Sequence, residues 1–183
     1  MTRRQRLTGP RSSEGRPAAK LTVANSSIDG RGCFAAAPFR AGQVVAEYIG
    51  EKVSRAEAAR RRRGRRRYSL CALDAEWAVD GRAGGNATQY INHSCDPNCE
   101  AEVVDGRILI RARRDVSAGE EITVDYQSSY HSDRKRCWCQ SGNCRGTINQ
   151  PARDAQPTPA PDRGRKPDYD LALDASAAKN GAG

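Results

Sequence analysis

The sequence predicts a mainly β fold of short strands with one short helix. Three observations carry that prediction. Runs of apolar and β-branched residues, KLTVAN, GQVVAEYIG, EAEVV, RILIRAR and EEITVDY, recur between residues 20 and 126, bounded by glycine, asparagine or aspartate. Asp105-Gly106 separates two of them by the two residues a tight hairpin requires. The helical signal is confined to SRAEAARRRRG, residues 54 to 64.

Taken in order, residues 1 to 18 are polar, basic and contain glycine and proline, so they are expected to form a disordered arm. KLTVAN and GQVVAEYIG supply the first two strands. In the helix that follows, Ser54 offers an N-cap side chain and Glu57, three residues on, a capping-box partner. INHSCDPNCE, residues 91 to 100, follows neither strand nor helix period. It gathers an amide, an imidazole, a hydroxyl and two thiols around one proline, a mixture with no reason in core packing, and this marks a site. The EAEVV and RILIRAR hairpin comes next, then EEITVDY. CWCQSGNCRG closes the ordered region at residues 137 to 146. The tail, 151 to 183, holds five of the nine prolines and reads as a linker with at most a short helix near DYDLALDASAAK. A chain of 183 residues without internal repeats supports one core.

The net charge of +9 is unevenly placed. Residues 52 to 67 carry nine basic side chains against one acidic, residues 1 to 20 six against one, and the rest of the chain is slightly acidic. Such runs attract polyanions, so nucleic acid is a candidate partner through the arginines. No stretch of eighteen apolar residues exists and no apolar segment follows the basic N-terminus, which argues against a membrane-spanning helix or a secretory signal. The protein is expected inside a cell, cytoplasmic or DNA-associated, and is taken as a monomer; export as an effector is compatible with the sequence.

Seven cysteines in a chain expected to stay reduced point to metal or thiol chemistry before a disulfide framework. Cys137, Cys139 and Cys144 fit a zinc site lacking one ligand. The candidates for the fourth are Cys33, Cys71, Cys95, Cys99, His93 and His131. Cys95, presented by an Asp96-Pro97 turn, would fasten the C-terminal segment across the central motif. Free thiols and a redox pair are the competing readings.

Five segments in order, SIDGRGCFA (27–35), EYIGE (47–51), GGNATQYINHSCDPNCE (84–100), GEEITVDY (119–126) and the cysteine triplet, resemble the SET-domain protein-lysine methyltransferases over residues 21 to 148. The resemblance implies a β-clip (SET-domain) fold: small curved sheets, a knot-like threaded C-terminal segment, a short helix after EYIGE, and a post-SET zinc loop. It implies a SET domain over 19–130 and a post-SET segment over 131–150, with Cys95 joining Cys137, Cys139 and Cys144 around one structural zinc. The implied reaction is S-adenosylmethionine-dependent methyl transfer to a lysine amine in a protein, such as a histone-like or other basic tail.

By the same resemblance, Tyr126 is the catalytic tyrosine, Tyr48 lines the lysine channel, and Tyr68 lies near cofactor and amine. The backbone at Gly30, Arg31 and Gly32, the Asn92 side chain, the His93 backbone and the Trp138 indole take the cofactor. Gln89 belongs to that set too, although Gln89 and Tyr90 stand where the family usually has arginine and phenylalanine. Val124 replaces an aromatic residue that influences product state. The alternative is a catalytically degenerate, zinc-stabilised module that docks on nucleic acid or protein through its arginines.

Overall fold

The computed structural model describes residues 20–65, 67–127 and 135–150. The arm expected over 1–18, His131 and the tail expected over 151–183 lie outside the described residues. The elements are β1 (Leu21–Asn25), β2 (Arg31–Ala35), β3 (Val44–Glu47), β4 (Glu51–Ser54), α1 (Arg55–Arg62), β5 (Leu70–Ala72), β6 (Trp77–Asp80), a 3-10 turn (Ala87–Tyr90), β7 (Asn92–His93), β8 (Cys99–Val104), β9 (Arg107–Ala112) and β10 (Thr123–Val124). The architecture is mainly β, with small sheets and a single short α-helix among the described residues, as the sequence predicts. No helix among them is long and apolar enough to cross a membrane.

Four small sheets surround one core. β1 pairs antiparallel with β2, β9 lies between β3 and β8, β6 lies between β4 and β5, and β10 runs parallel to β7. β9 shows the half-buried alternation that RILIRAR predicts: Ile108, Ile110 and Ala112 are buried, and Ile110 and Ala112 meet Phe39, Val45, Val116 and Ile122 in the main cluster. At the β8–β9 turn Asp105 and Gly106 have φ of 50° and 71°, the paired left-handed conformation of a type I′ hairpin.

The helix begins as expected, with the Ser54 hydroxyl accepting from the Glu57 amide at 3.1 Å. The Glu57 carboxylate does not complete the capping box; it turns forward to Arg60 and Arg61, whose guanidinium donors lie 2.7 Å away. Strands β4, β5 and β6 form a second, smaller cluster with α1, in which Val53, Ala58 and Ala78 are buried and Leu70 packs against them.

EEITVDY is less of a strand than its pattern suggests. Glu121 bridges to Phe34, the Ile122 amide donates to Cys33 O at 2.7 Å, and only Thr123–Val124 form a ladder, parallel to β7. One apolar-rich run is thus shared between β2 and β7, and it sets INHSC against the turn that precedes β2.

Candidate active site and thiol cluster

The parallel pairing of β7 with β10 places Asn92 opposite Thr123 and His93 opposite Val124. Asn92 is 8% exposed, and its Nδ2 lies within reach of three acceptors: Asp29 O at 3.2 Å, Arg31 O at 3.1 Å and Glu121 Oε1 at 2.8 Å. Two hydrogens serve those three, which leaves Oδ1 as the amide's remaining bonding atom. Asn98, 2% exposed, locks the same two segments: its Oδ1 accepts the Thr123 amide at 2.9 Å and its Nδ2 donates to Glu121 O at 2.8 Å.

Gly30 has a φ of 53°, in the left-handed region where glycine is favoured. A side chain there would also sit 2.7 Å from the Arg67 guanidinium, which pairs with Asp29 at 2.7 Å. Gly32 is required by a different neighbour, since a Cβ would strike the Glu121 carboxylate. Glu121 is held there by Ser26, whose hydroxyl lies 2.8 Å from both of its oxygens. Arg31 turns away from this turn and stacks on Tyr90, its guanidinium carbon 4.4 Å from the ring centre.

Tyr126 spans residues 91 to 93. Its hydroxyl donates to Ile91 O at 2.8 Å and its amide donates to His93 Nδ1 at 3.2 Å. Although 45% of the residue is exposed, the protein packed around the hydroxyl desolvates it and pushes its pKa well up, with Asp29 and Tyr68 adding to the effect. The Tyr48 hydroxyl donates to Ser69 O at 2.7 Å and is likewise pushed up by burial, with Cys71 and Tyr126 adding. Both phenols therefore stay neutral, each with its proton committed to a carbonyl. Tyr68 is half-buried, with the Lys135 ammonium 4.2 Å from its ring centre.

His93 is 4% exposed. Burial lowers its pKa to about 4, helped by Arg145 and opposed by Asp125. The ring is neutral, and since Nδ1 accepts the Tyr126 amide its proton lies on Nε2, 3.4 Å from Cys95 Sγ. Gln89 folds back onto its own turn, with Nε2 donating to Asn86 O at 3.3 Å. Trp138 is half-buried and Arg136 covers one face at 4.3 Å.

Of the candidates for a fourth ligand, the fold selects Cys95. The sulfurs of Cys95, Cys137, Cys139 and Cys144 all lie within 4.8 Å of one another, and Cys95 and Cys137 are 3.7 Å apart. Four sulfurs around zinc, each about 2.3 Å from the metal, are spaced roughly 3.8 Å apart, whereas a disulfide would need about 2.05 Å. Each sulfur also accepts one backbone amide at 3.4 Å: Cys95 from Arg145, Cys137 from Cys139, Cys139 from Cys95, and Cys144 from Gly146. Amides directed at sulfur favour the thiolate. Burial opposes ionisation of Cys139, but the Cys95 amide and the Ser141 hydroxyl outweigh it and bring the thiol down to about 6. An all-sulfur, closed donor set of this kind fits structural zinc and leaves no open position for catalysis. Cys33 and Cys99 lie in the core, where burial pushes both thiols up to about 12.

Sequence reasoning missed several members of this site. Asp125 accepts from both terminal nitrogens of Arg145, at 2.9 and 3.1 Å, so the residue before Tyr126 is tied to the residue after Cys144. Glu121, Asn98 and Arg67 were also missed. Glu121 and Asn98 lay inside quoted motifs, where a carboxylate and an amide among apolar and turn residues were the signal available.

Residues 30–127, more than half of the chain, match the SET domain. The chain is 38% identical over 141 residues to the histone-lysine N-methyltransferase ATX2 of Arabidopsis thaliana, a match covering 71% of this chain and 13% of that protein. It is 34% identical over 142 residues to the histone-lysine N-methyltransferase SETD1B of Homo sapiens, covering 71% and 7%. It is 34% identical over 148 residues to the histone-lysine N-methyltransferase TRX1 of Oryza sativa subsp. japonica, covering 75% and 14%. The match thus spans only 7 to 14% of the length of these three relatives. With INHSC, VDY and the cysteine triplet brought together as described, the chain belongs to the SET-domain family.

Proposed function

We propose that this protein transfers a methyl group from S-adenosylmethionine to a lysine side chain in a basic protein of the histone class, with one structural zinc held by Cys95, Cys137, Cys139 and Cys144. The observation that carries the reading is Tyr126 braced across residues 91 to 93, the segment that carries the Asn92 amide and leads into Cys95 of the thiol cluster. The relatives' names, all histone-lysine N-methyltransferases, support the same reaction class.

The residues fit the cofactor. Its carboxylate meets the backbone near Gly30, where the half-exposed Arg67 guanidinium now rests and can swing clear or pair with it. Asn92 Oδ1 would accept from its amino group, and the half-buried Trp138 indole would pack on its adenine. When bound, the cofactor supplies an electrophilic methyl group on a positively charged sulfur.

The protein's task is alignment and proton control. A lysine ammonium has a pKa near 10.4 and no lone pair with which to attack. A desolvated channel beside a positive charge disfavours that ammonium, so the amine arrives neutral and its proton leaves to water. The hydroxyls of Tyr126 and Tyr48 donate hydrogen bonds to Ile91 O and Ser69 O, so their oxygen lone pairs are left to accept from the amine and orient its lone pair. A charged tyrosinate would instead hold the ammonium, and burial of both hydroxyls works against that state.

The degenerate-module reading is less well supported, because the tyrosines and Asn92 that turnover needs are retained and converge. The test is label transfer from radiolabelled S-adenosylmethionine to histones and to lysine-containing basic peptides, beside Tyr126→Phe. Transfer that falls at least about 100-fold in the variant supports the reading. Cofactor binding without transfer to any substrate contradicts it.

A further inference from the structure

The arginine run is the largest feature that the proposed chemistry leaves unused. Four of its arginines, Arg60, Arg61, Arg63 and Arg65, line a cleft of about 560 Å³ with Arg82, between the end of α1 and the turn after β6. Two carboxylates, Glu57 and Asp80, share that lining. All four of their oxygens are engaged. Glu57 clamps Arg60 at 2.7 and 2.9 Å and takes Arg61 at 2.7 Å. Asp80 accepts from Arg61 at 2.9 Å and from the Arg82 backbone amide at 3.1 Å.

Arg60 and Arg61 are thus neutralised within the fold. Arg63, Arg65 and Arg82 are exposed and have no carboxylate partner among the described residues; an Arg82 guanidinium nitrogen donates to Arg67 O at 3.4 Å. The chain bends to bring them together at Gly64, whose φ of 69° turns the backbone out of the helix between Arg63 and Arg65. Nothing lies within 4 Å of a Cβ built there, so the glycine serves the backbone conformation alone.

We propose that this cleft docks the sugar-phosphate backbone of duplex DNA without reading its sequence. Three unneutralised guanidiniums around one concavity suit bidentate contacts to successive phosphates. Among the described residues Ala83 is the only apolar one in the lining, so an apolar peptide anchor has little to grip. No aromatic ring lines the cleft either, which removes the stacking platform that single strands use. Gly81, one residue before Arg82, sits against Tyr48, where an added Cβ would come 2.8 Å from the hydroxyl. A bound duplex would therefore lie close to Tyr48. Docking itself is independent of methyl transfer; only its service to a DNA-associated substrate rests on the proposed function.

The test is fluorescence anisotropy of the full chain with a labelled duplex of about 25 base pairs across 0.05 to 0.3 M salt, a range over which counterion release is readily measured. Arg63→Ala/Arg65→Ala/Arg82→Ala is compared with Arg40→Ala/Arg107→Ala/Arg113→Ala, which loses the same charge elsewhere. Any contribution of the basic N-terminal residues is common to both. If each guanidinium meets one phosphate, the cleft variant lowers the log–log salt slope by about 2.7 and weakens binding on the order of 100-fold at 0.1 M salt, with the control near wild type. Arg65→Ala alone lowers the slope by about 0.9 and guards against misfolding of the triple variant. Equal slopes for cleft variant and control overturn the proposal. So does tighter binding of the wild-type chain to single-stranded RNA or to polyglutamate than to the duplex.

Discussion

The INHSC region and the arginine helix are both polar, yet they are held by opposite means. Around INHSC the polar groups are buried and partnered inward: Asn98 is 2% exposed, His93 is 4% exposed, and the thiols close on one another. Around α1 the charges face outward over a core of only Val53, Ala58 and Ala78, with Leu70 against it. Buried polar networks fix geometry at a high cost if one member is lost, whereas exposed pairs contribute little and can be rearranged. Precision is thus concentrated where the proposed function would align a cofactor and an amine, and adaptable charge where the proposed duplex would dock.

The comparison breaks most completely at the thiols. Cys95→Ser, or zinc removal with a strong chelator, is expected to release the segment after residue 135 from INHSC and lower Tm by about 10 °C or more. Differential scanning fluorimetry and bound-zinc quantification on the same sample check this. A Cys95→Ser chain with unchanged Tm and full zinc would move the site elsewhere.

Next comes Asn98→Ala, which leaves the buried Thr123 amide without its acceptor and should cost about 2 to 4 kcal/mol in urea unfolding. Gly32→Ala should displace Glu121 from Ser26 and Asn92, cost about 1 to 3 kcal/mol, and weaken cofactor binding in calorimetry more than it lowers stability. By contrast Val53→Ala, in the smaller core, should cost about 1.5 to 2 kcal/mol and leave zinc content and cofactor affinity unchanged.

The smallest effect is electrostatic. Hydrogen bonds from Arg60 and then Arg61 hold the Glu57 carboxyl at about 2, below its ordinary value of 4.5. A depressed folded-state pKa contributes stability above pH 4.5 that is lost as pH falls through about 2. Glu57→Gln should flatten the acid limb of the stability profile in that window, falling slightly below wild type at pH 7 and meeting it near pH 2.

Much of this contrast was legible in the sequence. RILIRAR alternates and is half-buried, Asp105-Gly106 forms the predicted turn, and Ser54 caps α1. The convergence of Cys95 on the later thiols was readable only through resemblance, since spacing left six candidates open. β4, β5 and β6 escaped because runs of only three or four residues are too short to carry a period; pairing with β6 makes β4 and β5 strands. β7 escaped because its two residues are both polar and are stabilised by β10, which is distant in sequence. The Asp125–Arg145 pair joins residues twenty apart across a fold that no local pattern announces.

The central claim is that one metal ion fastens INHSC to the C-terminal thiols and thereby holds the proposed active site together. X-ray absorption at the zinc edge on the purified full chain tests it directly. The account predicts one zinc per chain with four sulfur neighbours at about 2.3 Å, and three sulfurs at most in Cys95→Ser. A mixed nitrogen or oxygen shell in the wild-type chain, or a four-sulfur shell that survives Cys95→Ser, would contradict it.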